Sequence, residues 1–259
     1  MLNIMNDSFD MTAGPLKIGV EHLIQEIRRT REGRKTFFST DAFPWVRQVE
    51  SHWKTMRSEV DRILMALDLL PGFEEIQTEQ YQISQDKRWK IFPIFAYGYW
   101  SERNMERCPV TTKAIKMIPG LRAAMFSILQ PHKELPPHMG NYCGVLRYQL
   151  GIKVPTPNTL CGISVGGETA HWQEGKSLIF DDTHMHHAWN RSGEDRVVLF
   201  VDFNRPLPTP LNEMNNKVID TIGQSVFIDN AIQRWDAWES VHGCKFDDLL
   251  SSRELAPPI

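Results

Sequence analysis

"VLRYQLGIKV", residues 145–154, alternates polar and apolar side chains through its middle. A period of two puts Val145, Arg147 and Gln149 on one face of an extended strand and Leu146, Tyr148 and Leu150 on the other. Segments of the same kind lie on both sides: "WKIFPIFAYGYW" from Trp89, "AAMFSILQ" from Ala123, "LCGISVGGET" from Leu160, "SLIFDD" from Ser177 and "RVVLFVDF" from Arg196. Each is short, rich in β-branched and aromatic residues, and bounded by Pro, Gly, Asn or Asp. Many short strands at such spacing predict a sandwich or barrel over about 88–206 rather than a parallel sheet.

The flanks read as helical. From Asp41 to Leu70 the residues Trp45, Val46, Val49, Trp53, Met56, Val60, Ile63, Leu64 and Leu67 recur at three- and four-residue steps, the mark of a helix with one buried stripe, and Pro71 and Gly72 stop it. The helical N-terminal part is assigned to about 1–87. After "NRPLPTP" a second helical region, about 207–259, carries Leu211, Val218, Ile219, Ile222, Val226, Phe227, Ile232 and Trp235. No internal repeat, low-complexity tract or flexible linker interrupts the chain, so residues 1–259 are read as one domain.

Composition narrows the function. The chain has 259 residues, 41% hydrophobic and 24% charged, enough to bury a real core. A formal net charge of -3 and the lack of a basic stripe interleaved with aromatics argue against nucleic acid as a partner. Cys108, Cys143, Cys161 and Cys244 are scattered without a CxxC pair, which excludes a zinc knuckle or a dense disulfide framework and fits a reducing, cytoplasmic setting. The N-terminus lacks the pattern of an export signal, and no apolar run approaches the roughly 20 residues that span a bilayer, so no membrane partner is expected.

Two histidines stand beside strands. His138 is read as opening the strand that contains Arg147, and His186 lies in "FDDTHMHHAWN" just past "SLIF". Their separation of 48 residues is too wide for a helical HExxH zinc site and suits two strands facing each other across the mouth of a small barrel. Neutral imidazoles with carboxylate or water completing the shell suit Fe(II). Two hydrogen-bonded structural histidines are the competing reading. Arg196 lies on one strand face with Val198, Phe200 and Asp202; inside a barrel a guanidinium there would be costly without an anion to meet it.

From about Trp89 to Pro206, "FPIFAYGYW", "CPVTTKAIKMIPG", "AAMFSILQPHKELPPHMG", "LRYQLGIKVP", "HWQEGKSLIFDDTHMHHAWNRS" and "RVVLFVDFNRP" together resemble the aspartyl/asparaginyl β-hydroxylase family. The resemblance implies a double-stranded β-helix core, a cupin-like jelly roll, with the N-terminal and C-terminal helices packed on it. It also implies an Fe(II)- and 2-oxoglutarate-dependent dioxygenase, using O2 and releasing succinate and CO2. His138 and His186 fall on the family's iron ligands, Arg196 on the arginine that grips the distal carboxylate of 2-oxoglutarate, and Ser127 on a serine that bonds the same cosubstrate. Arg147 falls on an arginine facing cosubstrate and substrate, and Gln149 replaces a histidine found in many members. The implied substrate is an Asp- or Asn-like side chain in a peptide or a free amino acid. Acyl chains of lipids and small natural products are the alternatives.

Position 140 departs from the pattern of most related iron oxygenases, which carry Asp or Glu two residues after the first histidine; here "HMG" supplies Gly140. Within the family resembled, water can replace that ligand. A vacated position could instead admit chloride, as in iron halogenases, or mark a non-catalytic cupin-like binding barrel. Asp182, four residues before His186, is the candidate to orient a metal-bound water. Asp181 reads as a turn residue. His184 could contact substrate, and His187 should point away from His186.

Overall fold

The computed structural model describes residues 15–251. Two antiparallel sheets form its centre. The larger is ordered β1 (Phe37–Phe38), β9 (Ser177–Phe180), β6 (Val145–Lys153), β11 (Arg196–Asn204), β4 (Leu121–Leu129), β2 (Trp89–Ala96) and β3 (Tyr99–Trp100); the smaller is ordered β5 (Lys133–His138), β10 (His186–Asn190), β7 (Cys161–Val165) and β8 (Glu168–Ala170). Antiparallel strands in two facing sheets with helices outside make the cupin-like jelly roll that the strand pattern and the resemblance predict.

Strand register sorts the side chains. Phe200 lies opposite Gln149 and Met125, and Val198 opposite Gly151 and Ser127. That face looks into the space between the sheets, where Met125, Leu129, Val198 and Phe200 meet Leu135, Ile163 and Ala188 of the smaller sheet. The other face carries Phe126, Tyr148, Leu150, Leu199 and Val201 against helices. Both faces of the large sheet are therefore covered, and the polar members of the alternation, Arg147, Gln149 and Arg196, point inward. This reverses the usual polar-out sense of a half-buried strand.

The stripe from Asp41 to Leu70 is buried as expected, but no single helix carries it. Two helices, α2 (Trp45–Ser51) and α3 (Trp53–Ile63), meet at His52 and continue as a 3-10 segment, Leu64–Leu69, with a kink at Ala66. Val46, Val49, Met56, Val60 and Ile63 all remain in the core, since the break keeps the apolar side of each piece on the curved sheet. Leu70 turns extended ahead of Pro71. A short α4 (Phe73–Ile76) follows. Two further short helices, α5 (Glu102–Arg107) and α6 (Pro109–Ile115), lie between β3 and β4. Buried Glu59 of α3 caps α6: it accepts from Val110 N at 2.7 Å, Thr111 N at 3.0 Å and Thr111 Oγ1 at 2.6 Å. Glu59→Ala strands those buried donors, and a loss of about 2–3 kcal/mol is expected in urea or thermal unfolding; an unchanged midpoint would show that the cap is not structural.

At the ends of the chain, α1 (Pro15–Arg29) packs Val20, Leu23 and Ile27 against Val218, Ile219 and Ile222 of α7 (Leu211–Gly223). The long α8 (Val226–Ser251) sends Trp235 into the inter-sheet core and Phe246 and Leu250 to the outer one. No helix of the described residues is long and apolar enough to cross a membrane.

Candidate active site

His138 does not open β6. It closes β5, a strand that the sequence hides behind Pro136 and Pro137, and a loop separates it from Val145. Proline removes a ladder donor, so it is tolerated here because β5 is the edge of the smaller sheet. His186 opens β10 directly opposite. The two rings lie 4.1 Å apart between centroids, tilted by 53°. Each ring is fixed by a short local bond: His138 Nδ1 donates to Pro136 O at 2.7 Å and His186 Nδ1 to His184 O at 3.0 Å. A carbonyl can only accept, so both protons sit on Nδ1 and both Nε2 lone pairs are left for an electrophile. Burial, then the His186 imidazole, pushes the His138 pKa down to about 4; burial, then the Arg147 charge, does the same for His186. Both rings are neutral at pH 7, the state a metal requires. Among the described residues no third His, Cys, Asp or Glu joins them in a metal-binding cluster.

Arg196 starts β11 and is 2% exposed. Among the described residues no carboxylate pairs with it: its guanidinium lies 4.6 Å over the Trp172 ring, it makes one long hydrogen bond of 3.4 Å to Ser127 O, and its buried Nε has no partner there. Burial lowers its pKa to about 10, so at neutral pH it is a buried cation. The neighbours are tied down. Trp172 donates its Nε1 to Gln149 Oε1 at 3.0 Å, and Trp89 donates its Nε1 to Ser127 Oγ at 3.0 Å. Gln149 thus fixes the indole over which Arg196 lies, and neither tryptophan is singled out by the strand reading.

Arg147 lines the cavity beside His138, on the side the resemblance implies, but its charge is not free. Its guanidinium is already matched by carboxylates, with Nη1 2.8 Å from Asp182 and Nε 3.0 Å from Asp202, and it rests 4.2 Å over the Phe200 ring. Burial works against its charge, but Asp182 and then Asp202 more than compensate and raise the pKa. Asp182 is therefore an ion-pair partner of Arg147, beside the histidines. Its carboxylate also explains Gly140: a Cβ at that position would fall 2.5 Å from Asp182 Cγ, and Gly140 N donates to Asp182 O at 2.8 Å. Gly140→Ala should push the Asp182 carboxylate off Arg147 and destabilise the protein by about 1–3 kcal/mol. Combined with Asp182→Ala it should cost much less than the two separate losses added; strictly additive melting shifts would refute this interlock.

His184 faces α1, with Nε2 3.1 Å from Arg28 Nη1, and is not among the residues that line the cavity beside His138. Arg28 and Arg205 converge on buried Asp181, which also bonds Thr183; this explains the fixed turn ahead of β10. His187 points away and stacks on Trp189, 5.4 Å between centroids.

A cavity of about 270 Å³ opens beside His138, Gly140, Arg147 and Asp182. Apart from Asp202 and the rim residues Gln77 and Gln80, its wall is mainly apolar, supplied by α4, β2, β4 and the start of α8.

The sequence profile of the family described as aspartyl/asparaginyl beta-hydroxylase matches residues 50–206, which include both histidines, Ser127, Arg147 and Arg196. The chain belongs to the aspartyl/asparaginyl β-hydroxylase family. Among its relatives, the ornithine lipid ester-linked acyl 2-hydroxylase of Rhizobium tropici is 41% identical over 213 residues, 82% of this chain and 76% of that protein. The human aspartyl/asparaginyl beta-hydroxylase is 31% identical over 170 residues, 64% of this chain but 22% of its own length. Among solved structures, a Cupin_2 domain of an XRE family transcriptional regulator from Enterobacter cloacae superposes with a TM-score of 0.33 at 12% identity, covering 46% of this chain and 99% of that one. As a member of the β-hydroxylase family the chain is a hydroxylase-type enzyme. Its α7 and α8 lie beyond the residues that match the family profile.

Proposed function

We propose that the protein is an Fe(II)- and 2-oxoglutarate-dependent hydroxylase acting on the acyl chain of a polar lipid. The observation that carries the cosubstrate is the unpaired, buried Arg196 on the inner face of the large sheet. A permanently charged fork over an indole, with a free Nε–H, fits the far carboxylate of a small diacid. The histidine pair fits the metal, since both rings are held in the tautomer that offers Nε2.

When bound, iron with 2-oxoglutarate and O2 supplies the oxidising power, giving succinate, CO2 and one oxygen atom for a substrate C–H bond. The chain supplies the rest. His138 and His186 hold the metal through Nε2. Arg196 and Ser127 would hold the cosubstrate, with Trp172 under the guanidinium and Trp89 bonded to the serine hydroxyl. Arg147, locked between Asp182 and Asp202, forms a rigid polar wall beside the metal site.

Two observations favour an acyl substrate over the Asp- or Asn-like side chain that the resemblance implies. The cavity wall is mainly apolar, and Arg147, the cation that would receive a carboxylate, is already neutralised. The 41% identical relative carries an acyl hydroxylase name, in the same direction. The lack of a spanning helix among the described residues bears on anchoring and not on whether a chain fits the cavity. Halogenation is disfavoured because position 140 is not left open: the Asp182 carboxylate packs directly over Gly140.

The test is incubation with Fe(II), 2-oxoglutarate and air in the presence of ornithine lipid or of an Asp-containing peptide, following succinate and the mass of the product. Succinate coupled to one added oxygen on the acyl chain is expected, with no change when chloride is omitted. Coupling to the peptide alone would overturn the acyl assignment, and no succinate with any substrate would leave the binding-barrel reading.

A further inference from the structure

The inner face of α8 contributes Phe227, Ile228, Ala231, Ile232 and Trp235 to the cavity. Residues four apart stand one above another on a helix, so Phe227, Ala231 and Trp235 form a single column: two aromatic rings with a methyl group between them. Their α-carbons span eight residues, roughly 12 Å along the axis. The lower ring is rigid. Trp235 is 2% exposed, donates its Nε1 to Ser101 Oγ at 3.1 Å and stacks on Trp238 with centroids 4.6 Å apart. Ala231, the smallest member of the column, lines the same cavity as residues of β2 and β4 and packs against the inter-sheet core.

We propose that Ala231 is a specificity-determining residue: the slot it leaves between Phe227 and Trp235 admits the distal part of the acyl chain and sets the longest chain the enzyme accepts. The proposal rests on the acyl-chain reading of the site. It also places chain-length selection on α8, outside the part of the chain that matches the family profile, so that members sharing the metal and cosubstrate residues can differ in the substrate's tail. An unbranched hydrocarbon needs no polar partner, and the column offers none. A bulkier side chain at 231 would cover the slot without touching His138, His186 or Arg196.

The experiment uses tail-brominated fatty acids from octanoate to stearate, whose bromine quenches indoles on close approach; Trp89 and Trp235 lie in the cavity wall. With the wild-type protein, affinity read from tryptophan quenching should rise with chain length. Ala231→Phe should weaken the longest probes at least tenfold and leave the shortest unchanged, with Ala231→Leu between the two, and the products formed from mixed-chain lipid should shorten in the same order. Thermal melts of both variants establish that they are folded; the leucine variant, small enough for the helix to keep its packing, carries the test if the phenylalanine variant melts early. Identical length profiles in the wild type and the variants would overturn the role of Ala231 while leaving the acyl reading standing. Failure of the wild type to bind any brominated chain would overturn both.

Discussion

Arg196→Met is expected to move binding and stability in opposite directions. Without the guanidinium the far carboxylate of 2-oxoglutarate loses a buried, charge-assisted partner. Truncating one side of such a pair costs on the order of 2–5 kcal/mol, so affinity for 2-oxoglutarate should fall by roughly thirtyfold to several thousandfold. In the cofactor-free protein the same substitution removes a buried cation whose Nε is unpaired and whose pKa burial has already lowered to about 10. Methionine has similar reach and can lie on the Trp172 ring, so the cofactor-free variant should melt above the wild type. Calorimetric titration with 2-oxoglutarate and a thermal melt without it read the two effects separately. A structural arginine that merely props up β11 would lower the melting temperature, and that outcome would remove the reason for placing a diacid here.

The opposed signs follow from where the sequence was transparent and where it was opaque. Period-two alternation put Arg147 and Gln149 on one side of the strand "VLRYQL" and Arg196 and Asp202 on one side of "RVVLFVDF"; the register makes the strands neighbours and joins those sides into one face, with Asp202 opposite Arg147 and Phe200 opposite Gln149. Alternation cannot say which side is inside. Here the apolar side is claimed by helices, so the polar side lines the interior. That inversion is why Arg196 is buried and not the solvent-exposed strand end it could also have been. The partners of Arg147 were harder to see. Asp182 and Asp202 stand 35 and 55 residues away, and only the closed barrel brings them together. An acid within the apolar run "LFVDF", on the same face as Arg196, was the available signal for one of them.

Local chemistry misled in two places. Pro136 and Pro137 read as a corner, yet they lie in β5, because an edge strand can spare the donors that proline lacks. The helical stripe from Asp41 to Leu70 predicted one long rod, but its apolar residues must follow a curved sheet, and the chain does so by breaking at His52. The cavity wall was the least legible feature. Phe227, Ala231 and Trp235 have the same spacing as an ordinary core stripe, and nothing in the sequence distinguishes a helix that fills space from one that leaves it.

His138→Ala and His186→Ala should each abolish metal-dependent turnover, on the order of a thousandfold or more, because a site with two protein ligands has no third to fall back on. Either substitution would leave one imidazole to hold the metal. Cobalt(II), a spectroscopic substitute for iron, should therefore show weak, non-saturating binding in both variants and stoichiometric binding in the wild type. His187→Ala provides the internal comparison. It is the next residue along β10 and has the same ring, but it stacks outward on Trp189, so its loss should leave cobalt binding and succinate formation within about twofold of the wild type, in keeping with a surface substitution. If the His138 and His186 variants bound cobalt as well as the His187 variant does, the paired rings would be only a hydrogen-bonded join between β5 and β10, each serving the carbonyl it already meets, and the metal would have to be placed elsewhere in the chain.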